Sequence, residues 1–215
     1  MTCDAASTVA AIRAVAATIA EHKVELTRLD RDIGDGDHGE NMARGFTAVL
    51  AKLDGAEFDT PAAVLKMVAS TLISTVGGAA GPLYGTAFLR ASTAVKDLPT
   101  LDAQAVVSAL TAGRDGVVAR GKAELEDKTM VDALTPAVNA ARAAADAGDD
   151  VAAVLAAAAA DAALGAEATI PYQARKGRAS YLGERSIGHK DPGATSTAYL
   201  LTALADAASS AAGSS

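Results

Sequence analysis

VAAVLAAAAADAALGA, residues 151–166, is the most apolar run of the chain, and only Asp161 interrupts it. Its composition decides the fold class. Alanine is the best helix former, whereas strands favour β-branched and aromatic side chains. A run of Ala with a few Val and Leu therefore predicts a helix, over about 150–164. The run is too short and too weakly hydrophobic to be expected to span a bilayer. Working outward, the whole chain carries the same bias: half of its 215 residues are apolar and only 3% are aromatic. No segment sustains the period-two alternation of a half-buried strand. The fold class expected is all-α.

Helical signals recur on both sides. Residues 6–27 set Val9, Ile12, Val15, Ile19 and Leu26 at helical spacing. A helix is predicted from near His38 through Met42, Phe46 and Val49 to about Leu53, with Gly55 as its stop. Thr60-Pro61 reads as a cap followed by proline at the first helical position, opening a helix to about Thr75. Pro82 opens another towards Val95, and residues 102–119 form the next. After the Thr129/Asp132 capping pair, Pro136 implies either a kink or a start at Thr135, with Gly148 as the end. Asp191-Pro192 repeats the cap-plus-proline pattern and opens a last helix to about Ala211. These make about eight helices in a single domain, 1–215, expected as an antiparallel bundle or barrel of helices.

The formal charge of −7 argues against nucleic acid and anionic membrane as partners, since both need a basic surface. One cysteine, Cys3, excludes an internal disulfide and suits a reducing compartment. MTCDAAS lacks the basic and apolar regions of a signal peptide. A soluble cytoplasmic protein is expected.

Three segments break the helical pattern. DRDIGDGDHGEN, residues 30–41, crowds Asp30, Asp32, Asp35, Asp37 and His38 among glycines. Carboxylates held together repel unless a cation or a proton neutralises them. Asp30, Asp35 and Asp37 can converge on a hard divalent ion such as Mg²⁺, which takes carboxylates, waters and substrate phosphates. EF-hand register fails, because glycine and glutamate are not at the required positions. Zinc fails for want of nitrogen and sulfur ligands. The other reading is a solvated turn whose aspartates cap helix ends, with Asp32 the member expected in solvent. His38 is open to three roles: packing in a first helical turn, contact to a ligand phosphate, or acid–base chemistry. Without a metal its acidic neighbours are expected to raise its pKa, and a bound cation would push the other way.

GGAAGPLYG, residues 77–85, precedes a helix start, where backbone N–H groups can cradle phosphate. It is equally readable as a close packing turn. It is neither a Walker A loop nor a Rossmann fingerprint. Residues 165–190 lack helical periodicity and carry Arg175, Lys176, Arg178, Arg185 and Lys190 against Glu167 and Glu184. A long cationic loop in an acidic chain reads as a lid over a polyanion, or as a solvated loop.

Taken together, IGDGDHGENM (33–42), GGAAGPLYGTAF (77–88) and RKGRASYLGERSIGHKDPGATS (175–196) resemble the nucleotide-binding L-subunit family of bacterial dihydroxyacetone kinases, DhaL. The same domain forms the C-terminal part of single-chain ATP-dependent dihydroxyacetone kinases. The resemblance implies a barrel of eight antiparallel helices with nucleotide at one end. It implies that Asp30, Asp35 and Asp37 hold two Mg²⁺ ions bridging the phosphates of ADP or ATP. It implies nucleotide contacts from His38, Gly39, Glu40, Asn41, Ala79, Ala80, Gly121, Met130, Arg178, Asp191, Pro192 and Gly193. The family usually has serine where this chain has Ala80, leaving only a backbone donor there. No residue of this chain is implied as a catalytic group; His38 is the one candidate. The implied partners are a dihydroxyacetone-binding kinase subunit, a phosphohistidine-carrying phosphotransferase subunit and a transcription regulator. The implied activity is phosphoryl transfer through bound nucleotide to dihydroxyacetone on the partner subunit. The alternatives are a component of an ATP-consuming kinase for another small ketose or polyol, and a nucleotide-sensing partner of a regulator.

Overall fold

The computed structural model describes residues 2–213. Among them the chain forms nine α-helices: α1 Ala5–Glu21, α2 Lys23–Ile33, α3 His38–Leu53, α4 Pro61–Thr75, α5 Ala80–Ala94, α6 Ala103–Gly121, α7 Val131–Asp146, α8 Val151–Ala168 and α9 Pro192–Ala212. A 3-10 segment, Arg178–Ser186, broken at Gly183 (φ 56°, ψ −129°), lies between α8 and α9. The described residues contain no strand, only an isolated bridge in which Cys3 and Leu101 exchange backbone hydrogen bonds of 2.8 and 2.7 Å. The all-α expectation holds.

Aspartate starts four of these helices. Asp4, Asp102, Asp150 and Asp191 accept from Ser7, Ala105, Ala153 and Ala194 N–H at 2.8, 2.8, 3.1 and 2.7 Å, and Thr60 does the same for Ala63 at 3.2 Å. Each cap satisfies an N–H that the helix itself cannot, and each aspartate also faces the positive end of the macrodipole. Part of the acidic composition is thus accounted for by local structure.

Two boundaries differ from expectation, and a third is open between two readings in the sequence. The helix expected over 6–27 is two helices, broken at His22 (φ −90°, ψ 8°). The break is held from outside: the His22 ring stacks on Tyr199 of α9, centroids 3.9 Å apart, and Tyr199 Oη donates to Glu25 at 2.6 Å. The second piece runs on to Ile33 because Leu26, Leu29 and Ile33 keep a buried stripe under the charged residues. Of the two readings open for α7, the structure has the one that runs through proline: the helix starts at Val131 and carries Pro136 inside it. Asp132 fixes that start by accepting from Thr129 N–H at 2.7 Å and Glu126 N–H at 2.5 Å. Finally, α8 reaches Ala168, so it is 18 residues long and, by length and composition alone, apolar enough to cross a membrane. The length argument made from the sequence therefore fails. In the fold, its Val154, Ala158, Ala162 and Ala166 are buried where it packs between α7 and α9.

Helix contacts run in a closed cycle, α1 to α3, α4, α5, α6, α7, α8, α9 and back to α1, with α2 lying against α3 and α9. Alanine makes this closeness possible on the α6–α9 side, where Ala133, Ala137, Ala141, Ala158 and Ala162 fill the contacts. Larger side chains, Ile12, Ile19, Met42, Phe46 and Leu72, fill the α1–α4 side. The three segments that broke the helical pattern, 30–41, 77–85 and 165–190, meet around one cleft.

Candidate functional site

The acidic turn is built by glycine and by backbone capping. α2 ends at Gly34, whose N–H returns to the Asp30 carbonyl at 2.5 Å, and a β-carbon at Gly34 would overlap the Asp30 carboxylate. Glycine at that point lets Asp30 fold back over the turn. Asp30 Oδ2 then accepts from the N–H groups of Asp37 and His38 at 2.8 and 3.1 Å, which are the unsatisfied donors at the start of α3. Asp37 itself occupies the cap position of α3 but makes no side-chain cap bond. Helix capping therefore accounts for one of the three carboxylates and not for the others.

Asp30, Asp35 and Asp37 present carboxylate oxygens all within 4.8 Å of one another, and Asp35 and Asp37 are exposed. Each pair at that distance repels by about 1 kcal/mol in a water-like dielectric and by about 3 kcal/mol at an effective dielectric near 20. A divalent cation reverses the sign of that energy. Three hard oxygen donors on an open face, with room left for water and phosphate, fit Mg²⁺. Asp32 lies outside the cleft, its side chain 40% exposed and 3.9 Å from His189 Nδ1.

The cleft above the turn has a volume of about 420 Å³, within the range of small-ligand sites. Its floor is Asp30, Asp35, Asp37, His38 and Asn41. One wall is the turn Gly77–Ala80 with Gly121; another is Met130 with Asp191, Pro192 and Gly193; Lys176 and Arg178 reach in from the basic loop. The sequence-derived candidates thus converge, with two exceptions. Gly39 is buried on the far side, against the Lys23 carbonyl of α2. Glu40 pairs with Lys23 at 2.9 Å. Neither lines the cleft.

The basic loop divides its charges. Arg178 pairs with Asp35 at 3.0 Å across the mouth of the cleft, with side chains 68% and 36% exposed. Such a pair contributes about 1 kcal/mol or less, so a stronger ligand can replace it. Arg175 instead faces Asp127 at 3.8 Å, and Lys190 pairs with Glu167 at 2.8 Å. Both hold the loop to the body rather than facing the cleft.

Behind the floor lies a buried polar network. His38 Nε2 is 2.8 Å from Ser196 Oγ, which is 2.6 Å from Tyr84 Oη. Tyr84 Oη is also 3.0 Å from Thr197 Oγ1 and 3.2 Å from the Gly193 carbonyl. Burial pushes the Tyr84 phenol up to about 12, so it stays neutral. The sequence expectation for His38 is reversed: burial lowers its pKa, outweighing the opposing charges of Asp30 and Asp37. Its ring is a neutral strut between the acidic turn and α9. Asp191 is buried at the start of α9, and burial raises its pKa to about 7 despite its bond from Ala194 N–H.

Arg120, Lys128 and Tyr84 also line the cleft and were not singled out from the sequence. Arg120 could have been found, as a cation in the last turn of α6 beside Gly121. Nothing in the local sequence distinguishes Lys128 or Tyr84.

The chain is similar in sequence and fold to known proteins. The family model for the DAK2 domain matches residues 32–206. The chain is 49% identical over 183 residues to the ADP-binding subunit DhaL of the PEP-dependent dihydroxyacetone kinase of Escherichia coli K12, covering 85% of this chain and 87% of that protein. It is 47% identical over 186 residues to the ADP-binding subunit DhaL of PEP-dependent dihydroxyacetone kinase 1 of Listeria innocua, covering 86% and 88%. The crystal structure of the dihydroxyacetone kinase from C. freundii in complex with AMP-PNP and Mg²⁺ superposes with a TM-score of 0.73 at 26% identity, over 96% of this chain and 34% of that one. The chain thus spans about a third of the length of that kinase. With motifs, fold and relatives in agreement, the chain belongs to the DAK2 domain family.

Proposed function

We propose that this chain is the ADP- and Mg²⁺-binding subunit of a phosphoenolpyruvate-dependent dihydroxyacetone kinase, working in the cytoplasm with two partners. One partner carries phosphohistidine, and the other holds dihydroxyacetone. The observation that carries this reading is one cleft with three carboxylates on its floor and Arg178 and Lys176 at its mouth. Acid on one side and base on the other suits a metal–polyphosphate better than a free anion or a bare cation. The names of the relatives supply the substrate and the donor.

Asp30, Asp35 and Asp37 would hold Mg²⁺, two ions by family resemblance. Bound there, the nucleotide would supply the phosphoryl carrier and Mg²⁺ would supply neutralisation of phosphate charge. The chain's own residues position and screen. Ala79 and Ala80 line the cleft at the start of α5, where the unsatisfied backbone N–H groups and the helix dipole would favour an anion. Arg178, held in the structure by its exposed pair with Asp35, would be available to phosphate oxygens. Met130 and Pro192 give apolar walls that exclude water from the reacting end. His38, braced by Ser196, would serve as a neutral contact to the ligand.

Transfer is tested by reconstitution. The chain is mixed with the phosphohistidine-bearing and dihydroxyacetone-binding subunits of such a kinase, and dihydroxyacetone phosphate is followed over time. The reading expects many turnovers on a single tightly held ADP. Product formed only by stoichiometric use of free ATP contradicts the donor assignment. No product with either donor contradicts the function.

A further inference from the structure

Lys128 is the only lysine among the largest fully buried side chains of the described residues, at 1% exposure. Burying an ammonium costs several kcal/mol unless its donors are met. Here they are met entirely by backbone. Nζ donates to the carbonyls of Thr169 at 2.6 Å, Tyr172 at 3.1 Å and His189, with Ile170 at 3.4 Å. Lys128 also sits in the left-handed region, at φ +61°. A non-glycine residue persists there only where its surroundings over-determine it.

The four carbonyls lie at the two feet of the basic loop. Thr169, Ile170 and Tyr172 lead in from α8, and His189 leads out to α9. Between the feet lie Lys176 and Arg178; immediately after the outgoing foot come Asp191, Pro192 and Gly193. In its own segment, Lys128 stands two residues before Met130, in the wall that Met130 shares with Asp191, Pro192 and Gly193. A single side chain therefore joins three of the segments that line the cleft. Its charge is already taken up by the carbonyl cage, so it is not free to serve as a phosphate ligand. The Asp191 and Asp132 charges nearby favour the ammonium form, opposing the burial that lowers its pKa. Other contacts cooperate: Gly188 N–H donates to the Ile170 carbonyl at 2.8 Å, and Arg175 N–H to the Asp127 carbonyl at 3.0 Å.

We propose that Lys128 is a positioning residue for nucleotide, an internal ammonium that clamps both feet of loop 170–189 and thereby sets Arg178 and the 191–193 wall against Met130. This rests on the nucleotide-site reading above. Without the clamp, four carbonyls lose their shared donor, and the loop opens at its base while the helices stay packed.

The test compares wild type, Lys128→Met and Lys128→Gln by hydrogen exchange with mass spectrometry, by ADP calorimetry in Mg²⁺ and by nucleotide-dependent transfer kinetics. Lys128→Met is expected to speed exchange in peptides spanning 170–190 while those of α1, α3 and α4 are unchanged. Its ADP dissociation constant should rise by about tenfold to a hundredfold, the ratio equivalent to one charged hydrogen bond lost from the bound state. The nucleotide KM should rise with it, and kcat at saturation should change by less than about threefold, the sign of lost positioning that ligand restores. Lys128→Gln, which keeps two N–H donors, should lie between; it decides the matter by the same readings if the Met variant does not fold. ADP affinity equal to wild type in a folded variant overturns the proposal, as does exchange raised uniformly through every helix in both variants. A wild-type chain that binds no ADP refutes the nucleotide-site reading instead, and the loop-exchange reading still decides the clamp.

Discussion

Replacing Asp30 separates the two tasks of that side chain. It accepts two backbone N–H groups at the start of α3, at 2.8 and 3.1 Å, and it contributes one charge to the acidic cluster. A hydrogen bond to a charged acceptor contributes about 1.5–3 kcal/mol. Asp30 is partly exposed, so the lower end applies, and Asp30→Ala loses about 3 kcal/mol from the pair. Asparagine keeps a neutral acceptor, so Asp30→Asn loses about 1 kcal/mol. Against this, either change removes repulsion with Asp35 and Asp37, about 1 kcal/mol for each of the two pairs. In metal-free protein the balance is a net loss of about 1 kcal/mol for Ala and a net gain of about 1 kcal/mol for Asn. At about 2–4 °C per kcal/mol for a chain of this size, the two variants should melt on opposite sides of wild type, some 4–8 °C apart. Both should lose Mg²⁺-dependent ADP binding, because one charge placed about 4 Å from a divalent ion is worth about 2 kcal/mol even in water's dielectric, or about thirtyfold in affinity. The assay is thermal melting in EDTA followed by ADP calorimetry in Mg²⁺. An Asn variant with wild-type affinity refutes the metal role of Asp30, and an Asn variant that melts with the Ala variant refutes the charge argument.

Gly34→Ala should displace the Asp30 carboxylate that its β-carbon overlaps and should reduce Mg²⁺-dependent ADP affinity by about tenfold or more, measured by calorimetry. Tyr84→Phe should cost about 1 kcal/mol and lower Tm by about 2–4 °C, because Ser196 and Thr197 keep the Gly193 carbonyl at 3.1 and 2.8 Å as an acceptor; a loss several times larger would mean the phenol holds the network alone. Asp191 has a folded pKa raised to about 7, above its unfolded value, so the unfolded chain releases that proton first. Its contribution to stability is therefore greatest below about pH 4, falls as pH rises towards 7 and is level above that. Asp191→Asn keeps the cap and removes this loss, so in metal- and nucleotide-free protein the melting difference between variant and wild type should shift in the variant's favour between pH 4.5 and pH 7.5; a difference independent of pH would refute the assignment.

What was legible in the sequence depended on how local its cause was. Thr60-Pro61 and Asp191-Pro192 fixed the starts of α4 and α9 to the residue, because capping and proline geometry act within one turn. Asp30, Asp35 and Asp37 stood out because crowded like charge has few explanations, and in the fold they do converge. The break at His22 was hidden, since its cause is a ring on α9, far away in sequence. The same holds for His38, whose neighbours in sequence are acidic but whose burial comes from the pocket formed with α9. The basic loop was visible as charge, yet composition could not say that Arg175 and Lys190 face acids on the body while Arg178 faces the cleft. Gly39 and Glu40 adjoin His38 in the motif, but both turn towards the start of α2, Gly39 against the Lys23 carbonyl and Glu40 to the Lys23 ammonium.

The central claim is that the acidic turn and the basic loop form one metal–nucleotide site. Calorimetric titration of ADP into the purified chain, in Mg²⁺ and again in excess EDTA, tests it most directly. The account predicts saturable binding in Mg²⁺ that weakens by at least about thirtyfold when the metal is removed. No binding in Mg²⁺, or equal affinity with and without it, would contradict the account.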